Sequence, residues 1–254
     1  MNAENTWKKL VKKTKNFFRK AGKKKAVLGL SGGIDSALAL LVLKEALGAK
    51  NVFVLLMPEK GLTKEANMAD AKKLAEKLGV KFKEIEISAI LKPFKQLPWK
   101  QSRIAKANLK ARSRMQVLYS YANSFNALVV GTGNKTELCL GYFTKHGDGA
   151  CDVLPLGDLW KTEVRVLAKF KKLPETFLEK APSAELFKGQ TDEGEIGASY
   201  AEMDAALELL VEKRLSRQKI LAAGVSGKTL SLVEKKMKES EHKRSMPEII
   251  PLKN

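Results

Sequence analysis

The segment at residues 29–36 reads GLSGGIDS, and its residue types are suited to binding a phosphorylated ligand. Glycines let a backbone turn tightly and approach a ligand closely. Backbone N–H groups at a helix start attract anions, and Ser31 and Ser36 add hydroxyl donors. Asp35 would repel a phosphate unless a cation lay between them, and Mg²⁺ suits such a carboxylate. We therefore predict a phosphate and Mg²⁺ site, with a plain glycine-rich turn capped by Asp35 as the alternative.

A second glycine-lysine segment, AAGVSGKT at residues 222–229, is a near match to a Walker A loop. Such a loop requires a strand directly before it. Residues 201–221 are instead rich in Glu, Lys, Leu and Arg, which favours a helix. The segment is predicted to be an inter-helix loop with Gly224 and Gly227 as turn residues, and phosphate binding there is the alternative.

The elements that must position these segments alternate along the chain. Short apolar runs predict strands at residues 25–30, 51–57, 81–87 and 127–131. Helical spacing predicts helices at residues 7–21, 37–47, 64–78 and 101–123, and then at 160–170, 200–215 and 228–238. This order predicts an α/β fold with a doubly wound parallel sheet flanked by helices and a helical C-terminal part. No convincing linker interrupts it, so we expect one domain over residues 1–254.

Composition limits the classes of protein and partner. The chain of 254 residues carries 47 basic and 28 acidic residues, a formal net charge of +19. One interpretation of this charge is that the protein binds a nucleic acid. Because the lysines are scattered, we favour the other interpretation, a solvated surface around a site for polyanionic nucleotides. Two cysteines, Cys139 and Cys151, cannot form a disulfide framework, which favours a cytoplasmic protein. The apolar stretch at residues 26–43 contains Asp35 in a glycine turn, so we predict no membrane span.

Residues 29–36 resemble the SGGxDS pyrophosphate loop of the N-type ATP pyrophosphatases, which have an adenine nucleotide alpha-hydrolase-like fold. Three later blocks, GTGNKTE at 131–137, GYFTKHGDG at 141–149 and CDVLPL at 151–156, resemble segments of the ammonia-dependent NAD synthetase family. Further matches are found at residues 110–115, 161–164, 182–184, 190–193, 196–200 and 241–244. The resemblance implies ATP- and Mg²⁺-dependent amidation of deamido-NAD by ammonia. It also implies a nicotinyl-adenylate intermediate and the release of AMP and pyrophosphate.

The resemblance also implies individual roles. ATP would be bound by Gly29, Leu30, Ser31, Gly32, Gly33, Ile34, Asp35, Ser36, Thr132, Lys161 and Ser183. Deamido-NAD would be bound by Arg112, Lys145, Asp152, His242 and Lys243. Mg²⁺ would be held by Asp35 and Glu137, and the catalytic residues would be Asp35, Lys161 and Asp152.

Simpler roles remain open for several of these residues. Arg112 and Lys145 could form surface ion pairs, and His242 could be an ordinary surface histidine. Thr132 and Ser183 could be turn or cap residues. Ser183 stands where many members carry threonine, which keeps the hydroxyl. Gly194 stands where a carboxylate is frequent, which puts a role at that position in doubt.

Assembly and nitrogen source follow from the same resemblance. The family implies a homodimer, and the basic pair at residues 242–243 could form an arm that reaches a neighbouring subunit. The polar, glycine-bearing residues 188–199 are the expected mobile cover over the site. The chain length leaves no space for an amidotransferase domain, so the expected nitrogen source is free ammonia or a separate donor subunit. The remaining alternatives are an RNA-binding, tRNA-modifying pyrophosphatase and a non-catalytic nucleotide sensor.

Overall fold

The computed structural model describes residues 1–183, 185–187 and 189–252. Its sheet has four strands: β1 Lys25–Gly29, β2 Val52–Leu56, β3 Lys81–Glu84 and β4 Ala127–Val130. All neighbouring strands are parallel, in the order β3-β2-β1-β4. The predicted third strand, residues 81–87, ends as a regular strand at Glu84. The backbone N–H groups of Ile85 and Ile87 still donate to the carbonyls of Leu56 and Pro58 before a short helix begins.

The helices follow the predicted order, with several short additions. They are α1 Ala3–Lys20, α2 Ile34–Leu47, α3 Glu65–Lys77, α4 Ser88–Leu91, α5 Arg103–Phe125, α6 Lys135–Leu140, α7 Lys161–Phe170, α8 Glu175–Leu178, α9 Asp192–Ile196, α10 Tyr200–Leu207, α11 Arg217–Ala222 and α12 Gly227–Glu239. Single 3-10 segments lie at Ala49–Asn51, Lys92–Gln96 and Glu241–Lys243. None of the described helices combines the length and the apolar character needed to cross a bilayer.

Helices cover both faces of the sheet because both faces of its strands are apolar. On one face Ala26 and Leu28 of β1 belong to a core cluster with residues of α1, α2, α3 and α7. On the other face Val27 belongs to a cluster with Met115 and Leu118 of α5. Successive strand residues point to opposite faces, so this alternation places β1 between two layers of helices. The predicted doubly wound α/β fold is confirmed.

The C-terminal part forms its own apolar cluster beside the sheet. Leu140 of α6, Met203 and Leu207 of α10 and Val233 of α12 are fully or almost fully buried together. The helix predicted over residues 200–215 is shorter than expected, because α10 passes at Leu207 into a π-helical turn at Glu208–Glu212. This cluster fixes α6 and the start of α7 against α10.

The sheet topology brings two loops together. The chain leaves β1 through the loop that begins α2, and it leaves β4 through the loop that begins α6. Because β1 and β4 are adjacent and parallel, both loops lie at the same edge of the sheet. In open α/β sheets ligands bind outside the carboxyl ends of strands where the strand order reverses. Here that reversal falls between β1 and β4.

Candidate active site

The loop at residues 29–36 is held by its own hydroxyl groups. The hydroxyl of Ser36 donates to the carbonyl oxygen of Gly33 over 2.9 Å and lies 3.1 Å from that of Ser31. Gly32 has a φ of +84°, and a Cβ there would lie 2.5 Å from the carbonyl oxygen of Asn67. Only glycine fits this position without displacing the backbone of α3. Gly33 is the N-cap residue of α2 and offers no side chain to cap the helix. The backbone groups at the start of α2 therefore line the cleft directly.

Three charged side chains meet beside this loop. The ammonium of Lys161 lies 2.5 Å from a carboxylate oxygen of Asp35 and 3.5 Å from one of Glu137. Asp35 belongs to the first turn of α2, Glu137 to α6 and Lys161 to the start of α7. The Lys161 side chain is only 2% exposed. The structure therefore brings together the predicted Mg²⁺ carboxylates and the predicted catalytic lysine.

Asn134, to which the sequence resemblance assigned no role, connects the two carboxylates. Its side-chain oxygen accepts from the backbone N–H of Glu137 over 3.0 Å, and its side-chain amide donates to Asp35 over 3.0 Å. The Glu137 carboxylate accepts from the backbone N–H of Asn134 in return, which completes a capping box at α6. The Asn-x-x-Glu spacing signalled this cap in the sequence. It did not signal the bond to Asp35.

The charges in this group do not balance, because two carboxylates face one ammonium. Burial raises the pKa of Glu137 to about 8; the charge of Asp35 adds to the rise and the ammonium of Lys161 opposes it. Burial alone would lower the pKa of Lys161, but the charges of Asp35 and Glu137 outweigh it and hold that pKa above its usual range. When both carboxylates are ionised, the group carries one excess negative charge in a protected position, which favours the uptake of a proton or a metal cation.

Asp35 and Glu137 fit Mg²⁺ as a partner of the phosphate loop. Mg²⁺ usually binds proteins through one or two carboxylates plus phosphates and water, and not through an all-protein cage. Within the described part of the chain, no group of three or more His, Cys, Asp or Glu side chains could hold an ion by itself. Two carboxylates beside the predicted phosphate loop match the first arrangement.

A cleft of about 1200 Å³ opens over this charged group. The predicted ATP residues all line it: the whole loop at residues 29–36, Thr132, Lys161 and Ser183. Glu137 and Lys243 line it as well. The Ser183 hydroxyl donates to the carbonyl of Gln190 over 2.7 Å, so it also shapes the turn that borders the cleft. The volume is above the usual range for a single small ligand, which suits a nucleotide together with a second substrate.

Four of the predicted deamido-NAD residues lie outside the cleft lining: Arg112, Lys145, Asp152 and His242. Three of them meet at the surface. The Lys145 ammonium donates to the backbone carbonyl of His242 over 2.6 Å, and the Arg112 guanidinium donates to the carbonyl of Lys145 over 3.2 Å. We call Arg112, Lys145 and His242 the basic surface group.

Asp152 lies apart from the basic surface group, beside β4. Its carboxylate accepts from the backbone N–H of Val129 over 2.7 Å and from the Tyr119 hydroxyl over 3.3 Å. These bonds give Asp152 a structural function at the end of the strand. The structure does not place the Asp152 carboxylate with Asp35, Glu137 and Lys161, and the catalytic role of Asp152 stays a prediction.

Lys243 points into the cleft of its own chain. Its ammonium donates to the carbonyl oxygens of Gly141 over 2.7 Å and Phe143 over 2.9 Å. In the single chain Lys243 thus contacts its own cleft, and an arm from the basic pair to a neighbouring subunit stays a prediction. Both carbonyls belong to the segment after α6, so Lys243 joins the end of the chain to the cleft wall.

The sequence interpretation also missed a buried acid in the cleft. Asp192, at the start of α9, is 4% exposed and accepts from the hydroxyls of Tyr200 over 3.0 Å and Tyr142 over 3.2 Å. Burial raises its pKa, and the Lys161 charge opposes that rise. Its acidic loop was visible in the sequence, whereas its tyrosine partners were not. Lys188, which begins the predicted cover, and Ala184 in the block at 182–184 lie outside the described residues.

Comparisons with known proteins identify the family. Residues 6–247 match the NAD synthase family. The NH(3)-dependent NAD(+) synthetase of Archaeoglobus fulgidus is 46% identical over 248 residues, which cover 96% of each chain. The structure of the NH3-dependent NAD synthetase from Campylobacter jejuni superposes with a TM-score of 0.83 at 34% identity, covering 99% of this chain and 100% of that one. An NMN synthetase from Francisella tularensis gives a TM-score of 0.85 at 34% identity, covering 99% of both chains. This chain therefore belongs to the NAD synthase family.

Proposed function

We propose that this chain catalyses the ATP- and Mg²⁺-dependent amidation of deamido-NAD by ammonia, which forms NAD. The observation that carries the proposal is the group of Asp35, Glu137 and Lys161 beside the phosphate loop, in one cleft with every predicted ATP residue. Family membership over almost the whole chain supports it. The chain would act as a single catalytic domain, because the cleft is lined both by the sheet loops and by the C-terminal helices.

The first step activates a carboxylate, which is a poor electrophile. A nicotinate oxygen attacks the α-phosphorus of ATP, the bond to the β-phosphate bridging oxygen breaks, and pyrophosphate leaves. The loop at residues 29–36 holds the phosphates with backbone N–H groups, and the Lys161 ammonium neutralises charge that develops on the leaving group. Bound Mg²⁺ would supply further stabilisation of that charge. Asp35 and Glu137 are the residues that would hold it.

The second step replaces the adenylate by an amide. Ammonia attacks the carbonyl carbon of the nicotinyl-adenylate, the carbon–oxygen bond to AMP breaks, and a proton leaves the nitrogen. The adenylate must be protected from water during this step. The turn containing Ser183 and Gln190, together with α9, borders the cleft and would provide that protection.

We also propose that a second copy of the chain completes the dinucleotide site. Arg112, Lys145 and His242 are predicted to bind deamido-NAD, yet they lie outside the cleft of their own chain. Three basic groups at one surface suit the phosphates of a dinucleotide that extends past the cleft. A homodimer in which deamido-NAD lies near the subunit boundary would use them.

The half-buried, unpaired Cys139 and Cys151 favour a reducing cytoplasmic setting.

The test is a turnover assay with deamido-NAD, ATP, Mg²⁺ and ammonium, in which NAD, AMP and pyrophosphate are measured. We expect the three products in equal amounts. Ammonia-free glutamine should not replace ammonium. A purified, folded chain that forms no NAD under these conditions would contradict the proposal.

Asp35→Asn is the matched inactive variant for this assay. The amide keeps the size of the side chain but removes one negative charge from the Mg²⁺ site and from the bond to Lys161. We expect the fold to be preserved and the rate of pyrophosphate release to fall by about a hundredfold or more. Turnover of Asp35→Asn at the wild-type rate would show that the carboxylate is not part of the catalytic centre.

Amidation of a mononucleotide is the second candidate, because the structure of an NMN synthetase superposes closely on this chain. The same two steps would then act on nicotinate mononucleotide. The two substrates differ in the adenylate half of the dinucleotide, and the basic surface group could contact only the longer one. A comparison of kcat/KM for deamido-NAD and for nicotinate mononucleotide decides which of them is the main substrate. A higher value for the mononucleotide would make this the main activity.

A further inference from the structure

A buried carboxylate outside the cleft contacts the two helix starts that carry the reactive side chains. Asp204, on α10, is 5% exposed. One of its oxygens accepts from the hydroxyl of Thr136 over 2.5 Å, and the other accepts from the backbone N–H of Thr162 over 2.8 Å. Thr136 lies beside Glu137 in α6, and Thr162 lies beside Lys161 in α7. Asp204 therefore joins the two helices that supply these side chains.

A third hydrogen bond closes this connection. The backbone N–H of Lys161 donates to the Thr136 hydroxyl oxygen over 2.9 Å, while that hydroxyl donates to Asp204. Thr136 is fully buried, so water cannot replace either bond. The first N–H groups of a helix have no partner within the helix and carry its partial positive charge. The Asp204 carboxylate satisfies one such N–H at α7 directly, and it orients the hydroxyl that satisfies another.

We propose that Asp204, acting through Thr136, is a positioning residue for Lys161 in the reaction proposed above. The carboxylate fixes the start of α7 relative to α6, and thereby places the Lys161 ammonium between Asp35 and Glu137. The inference rests on the proposed function, but it concerns a residue that touches neither substrate nor metal ligand side chain.

The geometry explains why a carboxylate is required at this position. Both neighbours of Asp204 are donors, the Thr136 hydroxyl and the Thr162 N–H. An asparagine of the same shape offers only one acceptor oxygen, so one donor would lose its partner or meet another donor. A buried donor without a partner is costly, and relaxation of either helix start would move Lys161. Small displacements of catalytic groups reduce rates strongly.

The experiment compares Asp204→Asn with Thr136→Val, Thr136→Ser and the control Glu208→Gln. Glu208 follows α10 directly, but it is half exposed and pairs with Lys213. We expect kcat to fall by about tenfold to a hundredfold in Asp204→Asn and Thr136→Val. Thr136→Ser keeps the hydroxyl and should retain most of the rate, and Glu208→Gln should match wild type. All rates are measured at a temperature at which circular dichroism shows each variant to be folded.

A second arm separates positioning from general stability. In a Lys161→Arg background the addition of Asp204→Asn should cost little further rate, because Asp204 acts through Lys161. If Asp204 only stabilised the fold, the rate losses of the two single variants would multiply in the double variant. Full wild-type kcat in folded Asp204→Asn, or fully multiplied losses in the double variant, would overturn the inference. If Asp204→Asn does not fold, Thr136→Val and its Thr136→Ser rescue carry both comparisons.

A third arm does not depend on turnover. Absence of NAD formation by the wild-type chain would be a failure of the proposed function and not of the positioning role. A crystal structure of Asp204→Asn, or of Thr136→Val, then decides the positioning role. We expect the Lys161 ammonium to have lost its hydrogen bond to Asp35. An unchanged Lys161–Asp35 bond in that structure would overturn the inference.

Discussion

Lys161 is almost fully buried, and it keeps its charge because two carboxylates face it. Its bond to Asp35 is the shorter one, and Glu137 lies farther from the ammonium at 3.5 Å. The second carboxylate is therefore only partly neutralised, and burial raises its pKa to about 8. A carboxylate binds a metal ion in its deprotonated form, so the predicted Mg²⁺ site requires that this proton leave Glu137.

The raised pKa of Glu137 predicts how stability depends on pH. The usual pKa of 4.5 applies in the unfolded chain and about 8 in the folded one, so the folded state binds more protons between these values. The free energy of unfolding should therefore fall as the pH rises through this window. Without Mg²⁺ or nucleotide, the thermal midpoint of wild type should fall more than that of Glu137→Gln between about pH 5 and about pH 9.

The comparison needs a variant that removes an acid elsewhere. Glu208→Gln changes a half-exposed surface acid and should keep the pH dependence of wild type. Thermal midpoints followed by circular dichroism for all three proteins provide the measurement. Equal falls for wild type and Glu137→Gln would show that Glu137 does not hold the extra proton.

Among the elements, the loop between α11 and α12 shows how context decides the function of a motif. The Walker-like residues 222–229 follow a helix, and Ser226 caps α12 by accepting from the backbone N–H of Thr229. Lys228 is exposed, and the loop is not part of the cleft lining. The predicted inter-helix loop is confirmed with Gly224 in it, whereas Gly227, predicted as a turn residue, is the first residue of α12. A Walker A loop would require a strand directly before it.

Lys228→Ala should therefore leave the activity almost unchanged. The exposed ammonium contacts no predicted substrate residue, and alanine preserves the helix. We expect kcat and the KM for ATP within about twofold of wild type, since surface substitutions of this kind change free energies by at most about 0.5 kcal/mol. Lys161→Ala is the comparison that should lose most of the rate. A large rise in the KM for ATP in Lys228→Ala would show that this loop binds phosphate after all.

For the whole molecule, the charge of +19 is best explained by anionic substrates and by solvation of the surface. The exposed lysines of α1 face away from its buried residues Trp7, Thr14 and Phe18. By contrast, Arg112, Lys145 and His242 are connected to one another by hydrogen bonds. A connected basic group outside the cleft suits a ligand that extends across a subunit boundary.

The dimer proposal can be tested through this group. Light scattering should give a mass of about twice the 28.1 kDa of the chain. Arg112→Ala should raise the KM for deamido-NAD by about tenfold or more through the loss of a charge-assisted contact, and leave the KM for ATP unchanged. Lys12→Ala, on the exposed face of α1, is the charge-matched control. A monomer that is fully active at assay concentration would contradict the dimer.

Local patterns in the sequence were sufficient for much of this protein. The period of the apolar residues predicted the strands and most helices, because burial on one or two faces imposes that period. The glycine and serine spacing at residues 29–36 predicted a loop that lines the cleft. These features depend on residues only a few positions apart, so the sequence alone determined them.

The tertiary structure decided which distant groups meet. Lys161 reaches Asp35 across 126 positions of sequence, and Asp204 reaches Thr136 across 68. No local pattern encodes these pairs, since the first requires α7 to pack against α2 and the second requires α10 to pack against α6. Packing also turned Lys243 into the cleft and left Arg112 at the surface, although both carry the same charge. Charge and residue type are properties of the sequence, whereas burial and distance, which determine what a charge can do, exist only in the folded chain.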